Sequence, residues 1–64
     1  MDKFRTIYVI KAYNFEGELV AKEYARNRKL AEKTAREFKR ADVYVDKLSK
    51  KETESVNADD VRID

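Results

Sequence analysis

The chain contains no cysteine, no histidine and no proline, and only one glycine. Most of these absences remove a class of chemistry. Without cysteine no disulfide can staple the fold, a lack that fits a reducing compartment. Without cysteine and histidine together, the usual zinc ligand sets are missing. So are the Ser-His and Cys-His nucleophile pairs and the imidazole acid–base group. One glycine cannot build a phosphate-cradling loop. No run approaches the ~20 apolar residues of a membrane span. Met1-Asp2-Lys3 opens no basic-then-apolar leader. The carboxylates, lysines and tyrosines that remain are those of any charged surface. The expectation is a soluble, cytoplasmic, non-enzymatic protein that needs no metal and no cofactor.

Sixty-four residues make a single domain, 1–64. A core of that size rarely supplies more than ~3–5 kcal/mol of net stability, so either the core is well packed or a homodimer supports it. Phe4 to Tyr13 reads as a strand, rich in β-branched and aromatic residues. Asn14-Phe15-Glu16-Gly17 reads as a type I turn closed by a left-handed glycine and a bulge, with Leu19 to Ala25 as the returning strand. Asn27 is a good N-cap. Apolar positions 30, 31, 34, 35, 38 and 41 then carry helical spacing through to Ala41. Asp42 to Asp46 alternates as a third strand. Residues 49–64 are weaker, either a fourth strand from Thr53 to Ala58 or a frayed acidic tail beyond an ordered core at 4–48. The fold class expected is α+β, an antiparallel sheet of three or four strands (ββαβ or ββαββ) with one helix on one face. A crossover through the helix places the third strand beside the first, making the first central.

One helix cannot cover both faces of so apolar a central strand. With Gly17 closing a bulge, Ile7, Val9, Leu19 and Ala21 are expected on one face with Val43 and Val45, beneath Leu30, Thr34 and Phe38. The other face then presents Phe4, Tyr8, Ile10, Val20, Tyr24 and Tyr44. A one-residue change of register swaps the two. Tyrosines on an uncovered sheet suit a protein interface. The competing reading is that Val56, Val61 and Ile63 fold across them. Base stacking is a third use of such rings, but no RNA-recognition signature is present. Phe15, at the hairpin tip, either plugs a partner's pocket or folds back on its own strand.

Charge is segregated along the chain. Residues 1–25 are neutral, residues 26–41 carry net +5 and residues 42–64 carry net −3, giving +2 in all. Lys29, Lys33, Arg36 and Arg40 fall within roughly 60° on a helical wheel. Arg26, Arg28 and Lys29 crowd the helix N-terminus, where the macrodipole is already positive. That arrangement suits a phosphate or a carboxylate, although basic helix faces are more often simply solvated and Glu32 is placed to pair with Arg36. Glu52, Glu54, Asp59, Asp60 and Asp64 are placed to fold back on this surface and neutralise it.

The hairpin Tyr13-Asn14-Phe15-Glu16-Gly17-Glu18-Leu19-Val20, the helix Leu30-Ala31-Glu32-Lys33-Thr34-Ala35-Arg36-Glu37-Phe38 and the strand Val43-Tyr44-Val45 give a layout that resembles, in size and order, small α+β proteins encoded by bacteriophages and mobile elements. That resemblance implies binding and modulation or inhibition of a host protein, such as a polymerase or a defence complex. The order also resembles strand-strand-helix-strand-strand modules of the β-grasp type, which implies a fourth strand pairing centrally. The expectation is a protein-binding module acting through Phe4, Tyr8, Tyr24, Tyr44 and Phe15. The alternative is a nucleic-acid-binding protein contacting phosphates through Arg26, Arg28, Lys29, Lys33, Arg36 and Arg40. A net charge of only +2 ranks the alternative second.

Overall fold

A computed structural model describes residues 6–39 and 41–62. Expectations that rest on Phe4, Arg40, Ile63 and Asp64 lie outside them. The elements are β1 (Tyr8–Tyr13), β2 (Leu19–Ala25), α1 (Arg28–Ala35), β3 (Asp42–Lys47), α2 (Lys50–Ser55), a single 3-10 turn at Ala58–Asp60, and a two-residue β4 (Val61–Arg62). The sheet order is β3-β1-β2-β4.

The hairpin forms as its turn chemistry dictates. Gly17 sits at φ 82° and its N–H donates to the Asn14 carbonyl at 3.0 Å. Asn14 Oδ1 accepts from the backbone N–H groups of Glu16 and Glu18 at 2.9 and 3.0 Å. Asn27 caps α1, its Oδ1 accepting from the Leu30 N–H at 2.8 Å. α1 is shorter than its apolar spacing suggests. It ends at Ala35, and Glu37 and Phe38 donate back to Thr34 and Ala35 in i→i+3 bonds that tighten the last turn. Phe38 still reaches the core.

β1 is central, antiparallel to both β2 and β3, and the crossover through α1 brings β3 beside it as expected. The face assignment holds for Ala21, Val43 and Val45 toward α1 and for Tyr24 and Tyr44 away from it, and is inverted for β1. Ile10 packs with Ala25, Leu30 and Ala31, and Tyr8, Val43, Val45 and Phe38 border that cluster. Tyr8 and Ile10 therefore face α1, while Val9 belongs to the second face. Two physical causes act together. β1 is apolar on both sides, so its composition does not choose a face. Its even row ends in Ala12, fully buried opposite Ala21 and Val43, and such small side chains let a helix sit close. Leu19 and Ala21 do not share a face either. The register shifts between Ala12 and Tyr13, so Leu19 pairs with Tyr13 while Ala21 pairs with Ala12. Val20 is the extra, bulged residue, and it resets the alternation.

The C-terminal third corrects the expectation further. Thr53 to Ala58 is not a strand. Ser49 and Glu52 form a capping box: Ser49 Oγ accepts from the Glu52 N–H, and Glu52 Oε1 accepts from the Ser49 N–H, both at 3.2 Å. This S-x-x-E pattern outweighs the alternation of a few apolar residues. The fourth strand is Val61–Arg62, and it lies parallel to β2 at the sheet edge, so the sheet is mixed rather than antiparallel. The edge position also departs from the central pairing of a β-grasp module. A parallel strand needs a crossover. The segment containing α2 makes it on the face that α1 leaves open, where Lys22 and Tyr24 meet Glu52, Ser55 and Val56 around a cleft of about 380 Å³. Val9, on that face, is 2% exposed.

Arg62 anchors this end. Its Nη1 donates to Thr34 Oγ1 at 3.1 Å and to Glu37 Oε1 at 2.8 Å, and its carbonyl accepts from the Arg26 N–H at 3.2 Å. Thr34 is fully buried and its hydroxyl donates to the Leu30 carbonyl at 2.9 Å. The tail thus meets the end of α1 through a cation on Thr34 and on the Glu37 carboxylate of the turn that follows, the reverse of the expected acidic fold-back.

Gly17→Ala meets no atom within 4 Å of the added Cβ, so its cost is backbone strain alone, about 1–2 kcal/mol. Urea unfolding should show a lower midpoint with an unchanged m-value. An unchanged midpoint would sink the left-handed assignment at Gly17.

Candidate functional site

Two surfaces stand out, on opposite faces of the sheet. The second face carries three rows: Asp42, Tyr44 and Asp46 on β3; Val9, Lys11 and Tyr13 on β1; Leu19, Lys22 and Tyr24 on β2. α2 is only six residues long and covers the end at Val9 and Tyr24. The hairpin end stays open. There Tyr13 and Tyr44 meet edge to face, ring centroids 5.8 Å apart at 70°. Leu19 is 50% exposed, Tyr44 58% and Phe15 95%. Tyr13, Phe15, Ala41, Lys39 and Asp42 line a hollow of about 290 Å³ beside them.

The expected interface residues therefore divide. Tyr44 and Phe15 lie together at this open end. Phe15 does not fold back on its own strand. Tyr24 is half-buried at the other end, with the Lys22 Nζ 5.7 Å from its ring centre. Tyr8 borders the core under α1 and leaves the group. Phe4 lies outside the described residues. Tyr13 and Leu19 belong to the patch, and sequence reading overlooked both as interface residues. Their signal was positional, since Tyr13 is the last strand residue before the turn, Leu19 the first after it, and they pair across it.

The second surface is the outer side of α1. Arg26, Arg28, Lys29, Lys33 and Arg36 gather around an open groove of about 600 Å³, with Asn27, Leu30 and Glu32 completing its wall. Five of the six expected cations come together, and the sixth, Arg40, lies outside the described residues. Glu32 pairs with Arg28 at 3.9 Å rather than with the expected Arg36. Among the described residues, no acidic side chain of the tail lines this groove. The backbone donors at the helix start are partly engaged, the Leu30 N–H by Asn27 and the Arg26 N–H by Arg62. An anion here would meet mainly side chains. Among the described residues, no group of acidic side chains is arranged to hold a metal ion, and no helix is long and apolar enough to cross a membrane.

No family model, curated protein or solved structure matches this chain. The surfaces alone bear on function.

Glu52 lies beside Lys22 where α2 meets the second face. The side chain and backbone N–H of Ser49 lower the Glu52 carboxyl pKa, desolvation opposes them, and Lys11 and Lys22 add lesser lowering. A depressed carboxylate stabilises the fold above its unfolded pKa, and that contribution is lost as pH falls through the folded value. Ser49→Ala should raise the Glu52 titration midpoint measured by side-chain NMR and narrow the pH range over which α2 holds. An unshifted midpoint would refute the capping-box origin.

Proposed function

We propose that this protein is a non-enzymatic protein-binding module whose contact surface is the open, hairpin end of the second sheet face. One observation carries this reading: Phe15, Leu19 and Tyr44 are at least half exposed around Tyr13, at the end of the sheet that α2 does not reach. Contiguous exposed apolar surface is what a partner buries. Tyrosine and phenylalanine supply large contact area at low entropic cost. The resemblance in size and element order to phage- and mobile-element-encoded proteins gives the narrower form of the proposal, modulation of a host protein such as a defence or transcription complex.

Affinity capture from a lysate of the source organism tests this, using the intact chain and two variants. Leu19→Asp/Tyr44→Asp should lose the captured protein, by about tenfold or more in affinity. Lys29→Glu/Lys33→Glu should retain it. Both variants should melt close to the parent temperature. Equal capture by the parent and by Leu19→Asp/Tyr44→Asp would refute the proposed surface.

A second reading is favoured by the five-cation groove on α1, namely binding to nucleic-acid phosphates. It predicts that random single- or double-stranded DNA or RNA binds at low salt and weakens by orders of magnitude at moderate salt. Gel shifts across a salt series decide it, and no shift at micromolar protein would exclude it.

A further inference from the structure

β3 ends the sheet, and among the described residues no strand lies beyond it. Its six residues pair with β1 along their whole length. A strand paired on one side only presents a row of backbone donors and acceptors on the other, a template for a further strand. Three features show what kind of strand fits. Asp42, Tyr44 and Asp46 form one row on the second face, with Tyr44 58% exposed between the two carboxylates. The hollow walled by Tyr13, Phe15 and Ala41 opens beside Asp42, with Lys39 on its rim. The nearest cations on the sheet form no ion pair with the row: Lys11 lies one strand inward, opposite Tyr44, and Lys47 is in the alternate row.

A second copy of this chain is the wrong occupant in the register centred on Tyr44. Antiparallel pairing of β3 with itself about Tyr44 sets Asp42 against Asp46 twice, and like charges directly opposite are repulsive. The same carboxylates favour cations. We infer that the free edge of β3 receives an extended segment of a partner protein. That segment carries basic side chains opposite Asp42 and Asp46, an apolar one opposite Tyr44, and an apolar one in the hollow beyond Asp42. The Lys39 rim disfavours a cation in that last position. The inference rests on the proposed protein-binding reading and names the partner chemistry for it.

The test uses the intact chain and a blocked peptide, Lys-Thr-Val-Thr-Lys-Thr-Leu, which presents this row to β3 when antiparallel. Two controls accompany it: one with glutamate for both lysines, and one N-methylated at alternate backbone nitrogens to block one edge. Amide NMR shifts and hydrogen exchange are the readouts. The lysine peptide should perturb and protect residues 42–47. N-methylation or the glutamate exchange should abolish the effect, and Asp42→Asn/Asp46→Asn should weaken it by about tenfold. Equal binding by either control peptide overturns the inference, as do shifts centred on α1 or no shift at millimolar peptide. Light scattering that finds a dimer with β3 protected in the protein alone also overturns it. Capture that depends on Leu19 and Tyr44 but is unchanged in Asp42→Asn/Asp46→Asn would remove this inference and leave the proposed function standing.

Discussion

β1 carries buried side chains on both faces of the sheet, Ile10 and Ala12 toward α1 and Val9 away from it. A central strand with two apolar rows needs two covers, and this chain is short. The residues between β2 and β3 supply the first cover, an eight-residue helix closed by a tightened turn that still delivers Phe38 to the core. The residues between β3 and β4 must supply the second while crossing the whole sheet. They form six residues of helix and one 3-10 turn. That is enough to bury Val9 and too little to reach Tyr13 and Tyr44.

The exposed aromatic end is thus a consequence of how cover is distributed. The same economy leaves β3 as the sheet edge among the described residues, because β4 returns to the far side beside β2. Aromatic patch, hollow and strand edge adjoin at one corner. The basic groove of α1 lies on the opposite face, so the charge separation visible along the chain persists in three dimensions. Arg62 sharpens that separation. By taking Glu37 and Thr34 it docks the tail, and among the described residues no acidic side chain of the tail lines the groove.

Short-range signals were legible wherever one residue type answers one backbone need. Gly17 at positive φ, Asn14 as turn acceptor and Asn27 as N-cap fixed the hairpin and the helix start. Ser49 and Glu52 offered an equally local signal, but the alternation of Val56 and Ala58 drew the reading toward a strand. The faces of Val43, Val45, Tyr24 and Tyr44 fell as expected, but the face of each β1 residue was not legible. Val20 inserts a bulge, so Leu19 and Ala21, expected on one face, lie on opposite faces. Of the candidate interface residues, Tyr44 and Phe15 fell where an exposed surface forms, Tyr8 fell beneath the helix, and Tyr13 and Leu19 joined the patch through pairing across the turn.

The sequence by itself determined which elements form up to β3, that β1 is central, and that positive charge gathers on α1, because propensity, capping and spacing act within a few residues. Tertiary structure alone decided which row of β1 meets the helix, where the two-residue β4 attaches, and which tyrosines remain in solvent. Those outcomes depend on register and on how far a short crossover reaches, and both are settled only when distant segments pack against one another.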